Sequence, residues 1–275
     1  IEFNGYLSSD ASEIEESMGL LSNDLFIYDV ASSFKMAGLM ANVVDHDFLL
    51  NDIFNRGNRA IIECSHGVLT DFEYGFVPHV SALKTLPSVI IDHFTEYGYK
   101  GEWNKVGVHR SYSIRHGAGP LPTYDNKMTR NLLPNSHKES NRYQGDVRVG
   151  PLDFVLLKYA VDVVGYDNID SLALTWFDQV IENGVFSYCD EYADYDPDYF
   201  VDGSRINAVK YDFHRRVGLT NSLFNVKPII ETIKLPKNTE DKLGECFSIV
   251  KEKLDLNVNF VSLGPLLSDK KVIYV

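Results

Sequence analysis

PLDFVLLKYAVDVVGYDNIDSLALT, residues 151–175, sets the fold class. Pro151 suits the first turn of a helix, and Leu152, Leu156, Tyr159 and Val163 follow at helical spacing. The short apolar run Ser171 to Thr175 then reads as a strand. The same order recurs near the end of the chain. There Leu243, Phe247, Val250 and Leu254 mark a helix, with Thr239 as its cap ahead of Asp241 and Lys242, and Asn257 to Ser262 a strand. Earlier, the pairs Leu49–Ile53 and Leu50–Phe54 predict a helix closed by Arg56-Gly57-Asn58, followed by a strand at Arg59 to Glu63. Ser88 to Ile91 and Lys271 to Val275 are further strand candidates. Helix followed by strand, repeated, predicts an α/β protein: a mostly parallel central sheet with flanking helices and long functional loops.

A chain of 275 residues, 44% hydrophobic and 24% charged, has globular proportions, and we expect one structural unit over residues 1–275. No apolar run approaches the roughly 20 residues of a membrane span, and IEFNGYLSSD at the start lacks the layout of a signal peptide. The cytoplasm is the expected location. Cys64, Cys189 and Cys246 are widely spaced and read as free thiols. A net charge of -13 argues against nucleic acid as partner, because its backbone demands a basic face. An anionic small molecule needs only a local cluster of arginines and amide groups. The acidic segment Tyr188 to Asp202 reads as a solvated loop or hairpin edge, and its carboxylates lack the spacing of a metal site.

Between Gly117 and Pro151, glycines, prolines and polar residues without periodicity predict long functional loops. Leu25 to Met40 could form a helix on the sheet edge.

Several stretches carry candidate chemistry. RHGAGPLPT, Arg115 to Thr123, is a stiff loop that either lets a ligand approach backbone closely or serves as a structural turn. IIECSHGVLTDFEYGFVPHVS, Ile61 to Ser81, places His66 and Gly67 after an apolar run; such a histidine is commonly structural. NRYQGDVRVGPLDF, Asn141 to Phe154, contains Arg148, whose planar fork suits a carboxylate, with a surface ion pair as the alternative. SLALTWFD, Ser171 to Asp178, ends in a carboxylate that could equally cap a strand end, and VNFVSLGPLLSD follows from Val258.

In this order, together with Lys227 to Thr232, these stretches resemble the adenylosuccinate synthetase family, and specifically its phage and archaeal branch, which includes the phage aminoadenylosuccinate synthetases. The resemblance implies a P-loop-type α/β fold. It assigns the purine nucleotide to His66, Gly67, Ser81, Arg115, Gly117 and Gly119, with His66 also catalytic; His66 and Ser81 replace the family's usual Gln and Thr. Aspartate goes to Asn141, Gln144, Gly145 and Arg148, and the base of the nucleoside triphosphate to Thr175, Asp178, Ser262, Gly264 and Pro265. Trp176 stands where the common enzymes have lysine.

The implied reaction moves the γ-phosphoryl group of ATP or GTP to O6 of a purine monophosphate. The amine of aspartate then displaces phosphate, giving an N6-succinyl product. Mg²⁺ and a homodimer are implied too, although no metal ligand is identifiable in this chain. The Gln144-Gly145-x-x-Arg148 loop and Trp176 favour dGMP as substrate, with IMP next. The family's phosphate-cradling Gly-Asp-Glu-Gly-Lys-Gly does not occur between Ile1 and Val275. We therefore expect either a portion of a longer enzyme or, as the alternative, a catalytically silent nucleotide-binding or regulatory relative.

Overall fold

The computed structural model describes residues 19–20, 22–40, 45–55, 59–132, 145–210 and 212–273. The chain forms two compact units, Ile1–Ile61 and Ile62–Val275. The first holds α1 (Asp24–Met40) and α2 (His46–Asn55), both anticipated by apolar spacing. Side-chain oxygens start each helix: Asn23 Oδ1 accepts from Leu25 N at 3.0 Å, and Asp45 Oδ1 from Phe48 N at 2.7 Å. The expected stop at Arg56 to Asn58 lies outside the described residues. The expected strand at Arg59 to Glu63 does not form: residues 59–65 are irregular, and Ile61 is 99% exposed. An apolar run without a neighbouring strand has no ladder to join.

The second unit opens with α3 (Pro87–Glu96), which replaces the strand expected at Ser88 to Ile91. Pro87 sits at the start of the helix after extended Leu86, and its fixed φ nucleates a helical turn despite the β-branched residues that follow. Then come β1 (Val106–Arg110), β2 (Ser113–Arg115), α4 (Asn126–Leu132), β3 (Arg148–Gly150), β4 (Leu152–Asp153) and α5 (Phe154–Val164). The region read as loops from Gly117 to Pro151 thus contains a helix and a strand. β5 (Ser171–Thr175), α6 (Phe177–Asn183), β6 (Val185–Ala193), β7 (Phe200–Asp202), β8 (Arg205–Ile206) and α7 (Phe213–Leu223) follow. β9 (Lys227–Lys234), α8 (Thr239–Leu254), β10 (Val258–Ser262) and β11 (Lys270–Val272) complete the described chain.

The main sheet has the order β1-β5-β10-β11, with β1, β5 and β10 parallel and β11 antiparallel at the edge. This is the α/β architecture that the alternating helices and strands predict. A second sheet, β4-β6-β9, pairs β6 in parallel with β4 and antiparallel with β9. β6 corrects the reading of the acidic segment as a solvated edge. Tyr188, Cys189 and Tyr192 are buried, whereas Glu191 faces out, so the period of two hides the carboxylates' placement from composition alone.

The helix read from Pro151 starts later than expected: Pro151 precedes β4, Leu152 lies in that strand, and the Asp153 side chain caps α5 by accepting from Leu156 N at 3.1 Å. Leu243, Cys246, Val250 and Leu254 of α8 meet Leu172, Leu174, Val258 and Val261 of the sheet. Its cap is Asn238, whose Oδ1 accepts from Glu240 N at 3.1 Å, and not Thr239, which is already helical. α5 is buried on two sides: Phe154 and Val161 join that core, and Val155, Leu156 and Tyr159 join a second one with Phe76, Tyr192, Leu219 and Leu223. The three cysteines are free; burial pushes the thiols of Cys189 and Cys246 up to about 12, which leaves them unreactive. No helix among the described residues is long and apolar enough to cross a membrane.

Candidate functional site

β2 and β3 form an antiparallel ribbon whose register sets Arg115 opposite Arg148. Arg115 is 8% exposed. Its Nη2 donates to the His79 carbonyl at 3.0 Å, while its Nε is buried without an acceptor. Arg148 donates through Nη2 to the carbonyls of Gly117 and Gly119, 2.5 Å each. Among the described residues neither guanidinium meets a carboxylate. Burial, then the charge of Arg148, pushes Arg115 down to about 10, and burial lowers Arg148 as well. The imidazole of His79 is held below its ordinary value by burial and then by both arginines. In a protein of charge -13 this is a local concentration of unneutralised positive charge, as an anionic ligand requires.

The glycines of the loop are there for contact distances. A Cβ on Gly119 would lie 1.9 Å from Arg115 Nη2, and one on Gly150 would lie 1.8 Å from the Thr123 carbonyl. Gly117 has φ +81°, in the left-handed region. Thr123, buried, donates to the Pro151 carbonyl at 2.8 Å and ties the loop's end to the turn between β3 and β4.

His66 and Gly67 head the loop that brings His79 to Arg115. His66 is exposed with φ 62°, and no described contact joins it to the arginines. The loop is pinned by Asp71, which is 1% exposed. Its Oδ1 accepts from Glu73 N at 2.7 Å and Tyr74 N at 3.0 Å, and its Oδ2 from Thr85 N at 2.6 Å. Ser81 N reaches the Thr70 carbonyl at 2.8 Å, so Ser81 and Gly67 share one compact turn system. Asn141 and Gln144 lie outside the described residues; Gly145 is exposed with φ 67°.

The base-binding candidates converge at the carboxyl ends of two adjacent parallel strands. Thr175 ends β5, Ser262 ends β10, and Leu174 pairs with Val261. Asp178 occupies the first turn of α6, so it is no strand-end cap. Ser262 Oγ donates to the Gly264 carbonyl at 3.1 Å. Asp269 shapes this turn: its Oδ2 accepts from Leu266 N at 2.8 Å, and a Cβ on Gly264 would approach that oxygen to 2.5 Å. Trp176 links the two groups, packing against Tyr112, Leu132 and Val149, the last of which neighbours Arg148 in β3.

Sequence reasoning missed His79 and Asp269, as well as the ends of β1. His79 lies within the Ile61 to Ser81 stretch, but it acts through its backbone carbonyl, which no side-chain pattern marks, and its partner is 36 residues away. Asp269 could have been read from its place after Ser-x-Gly-Pro. Among the described residues no three His, Cys, Asp or Glu side chains gather as a metal would need. No step below runs through Mg²⁺.

The family model described as adenylosuccinate synthetase matches residues 18–270. The chain belongs to the adenylosuccinate synthetase family. The adenylosuccinate synthetase of Thermoplasma volcanium is 29% identical over 227 residues, which are 79% of this chain and 49% of that protein. The Thermus thermophilus adenylosuccinate synthetase is 30% identical over 129 residues, 46% of this chain and 31% of that one. The chain thus spans about half the length of the curated adenylosuccinate synthetases it matches over most of its own length. A fully ligated adenylosuccinate synthetase from Plasmodium falciparum superposes with a TM-score of 0.70 at 18% identity, covering 96% of this chain and 62% of that one, and so shares the fold.

Proposed function

We propose that this chain works in purine nucleotide biosynthesis as part of a ligase that joins L-aspartate to a purine monophosphate at the expense of ATP or GTP. The product is an N6-succinyl purine nucleotide, formed through a 6-phosphoryl intermediate. The observation that carries this reading is the Arg115–Arg148 pair: two adjacent guanidiniums, mutually repelling and unneutralised, beside a glycine-bent loop. Arg115, Gly117, Gly119, His66, Gly67 and Ser81 hold the purine monophosphate, with His66 at the reacting 6-position. Thr175, Asp178, Ser262, Gly264 and Pro265 receive the base of the triphosphate. Phosphoryl transfer rests on positioning and on neutralising developing charge, and the arginines supply the second.

Arg148, with Asn141, Gln144 and Gly145, takes the aspartate. Both Nη2 protons of Arg148 are engaged by loop carbonyls, so Nε and Nη1 are the groups left for a carboxylate. Arg148→Leu therefore acts on both ligands. Removing the side chain raises the KM for aspartate and also frees the Gly117–Gly119 carbonyls, so monophosphate binding weakens in parallel. We further propose dGMP as the preferred monophosphate over IMP, on the Gln144-Gly145-x-x-Arg148 loop and on Trp176. A homodimer and a cytoplasmic location complete the proposal.

The test incubates the chain with dGMP or IMP, aspartate, and ATP or GTP, and follows phosphate release and the succinyl nucleotide by chromatography. Monophosphate binding is measured separately by equilibrium dialysis. Loss of both turnover and binding would sink the proposal. Binding without turnover supports a second reading, a silent nucleotide-binding relative.

A further inference from the structure

The end of β1 carries polar groups that no described residue satisfies. Arg110, its last residue, pairs with Thr175 across the parallel ladder, and its Cζ lies 5.1 Å from the centroid of the Trp176 ring. Nη1 of Arg110 is buried with no acceptor, and so is the hydroxyl of Tyr112 two residues on. Among the described residues no carboxylate forms an ion pair with this guanidinium; burial lowers its pKa, and Tyr112 acts against that. The turn beneath it is held under constraint. Trp176 has φ 59° and ψ 32°, a left-handed conformation that a bulky side chain adopts only when its surroundings enforce it. Ser111 enforces it by donating its N–H to the Thr175 carbonyl at 2.9 Å and its hydroxyl to the Trp176 carbonyl at 2.8 Å.

A half-buried guanidinium at the carboxyl end of a parallel strand, with its Nη1 buried and without an acceptor among the described residues, is costly unless a ligand supplies the missing oxygen. That end of the sheet is also where ligands of open α/β folds dock. We propose that Arg110 is a nucleotide-binding residue, with Trp176 as the platform that presents its free N–H groups to an oxygen of the nucleotide received at the ends of β1, β5 and β10. The inference rests on the nucleotide-binding reading above and adds to it a contact outside every motif that carries the family resemblance. The oxygen is either a phosphate oxygen or the 6-oxo group of the base, since a guanidinium binds both in the same way.

The protein provides its own reporter. It has two tryptophans, Trp103 and Trp176, so in a Trp103→Phe background the emission comes from the ring under Arg110. Titrating this variant with GTP and with ATP gives dissociation constants without any need for turnover. Adding Arg110→Met lowers the affinity at least tenfold, while the urea midpoint stays the same or rises, because the change removes a half-buried charge whose Nη1 lacks an acceptor among the described residues. A structural arginine would behave oppositely, with stability lost and affinity kept, and that result overturns the proposal. Guanosine and inorganic tripolyphosphate as separate ligands show which oxygen is bound: whichever loses affinity in Arg110→Met carries it. Should Arg110→Met not fold, Arg110→Lys keeps the charge without the planar fork, and wild-type affinity in that variant refutes the assignment. Absence of nucleotide binding by the unmodified chain in equilibrium dialysis removes the nucleotide reading along with this one. Unchanged affinity in Arg110→Met removes this one alone.

Discussion

Replacing Gly119 with alanine displaces a guanidinium from a distance of two ångströms. The new Cβ would stand 1.9 Å from Arg115 Nη2, 2.1 Å from Cζ and 2.2 Å from Nε. Ordinary carbon contacts begin near 3.5 Å, so the group must retreat by about 1.5 Å. Its 3.0 Å bond to the His79 carbonyl does not survive that movement. Losing a charged hydrogen bond costs about 1.5–3 kcal/mol and overpacking about 1–3 kcal/mol, partly offset as Arg115 moves away from Arg148. We expect Gly119→Ala to lose about 2 kcal/mol in urea denaturation. Equilibrium dialysis should show purine monophosphate binding weakened roughly tenfold or more, with the salt dependence of binding reduced. Gly117→Ala is the control. Its φ of +81° makes a side chain costly, about 1–2 kcal/mol, but no atom lies within 4 Å of its Cβ. It loses stability without a direct clash with the guanidinium. Gly119→Ala with wild-type stability and affinity would refute the role given to this close approach.

Asp71→Asn places an amide donor against the Thr85 N–H, now 2.6 Å from Oδ2, and should cost about 2–3 kcal/mol in thermal or urea unfolding; an unchanged midpoint counts against Asp71 as the pin of the loop. The Asp153 carboxyl, 1% exposed, is pushed by burial up to about 6, against bonds from Tyr192 Oη at 2.6 Å and Leu156 N at 3.1 Å. Its folded value lies above the ordinary 3.8, so the folded state keeps this proton longer than the unfolded chain. The contribution to stability is therefore full below pH ~4 and declines as pH rises through about 6, by at most roughly 3 kcal/mol. Urea unfolding at pH 5 and pH 8 should show that decline in the wild type and a flatter profile in Asp153→Asn, and identical profiles would exclude Asp153 as its source. Asp269→Ala removes the acceptor of Leu266 N and loosens the turn around Gly264. It should cost about 1 kcal/mol and weaken nucleoside triphosphate binding severalfold, measured by dialysis, with monophosphate binding retained.

Local and periodic features were legible in the chain alone. The stripes of α5 and α8 and the apolar runs of β5 and β10 identify themselves, because their apolar residues recur at the period of the element that buries them. The glycine-bent loop is legible too, since φ preferences belong to single residues. Local composition misled where a neighbour decides. Val89, Ile90 and Ile91 suggest a strand, but Pro87 starts a helix; the acidic residues around β6 suggest solvent, but Tyr188 and Tyr192 on the same strand are buried. β1 went unseen because Val-Gly-Val-His-Arg has the composition of a loop and becomes a strand only beside β5. Charge balance was decided by the tertiary structure. That Arg115 faces Arg148, that His79 lends a carbonyl and that Arg110 rests on Trp176 without an acceptor all depend on partners 33 to 66 residues apart in sequence. A side chain's type states what it can bind, and only folding determines which of its needs the protein itself has already met.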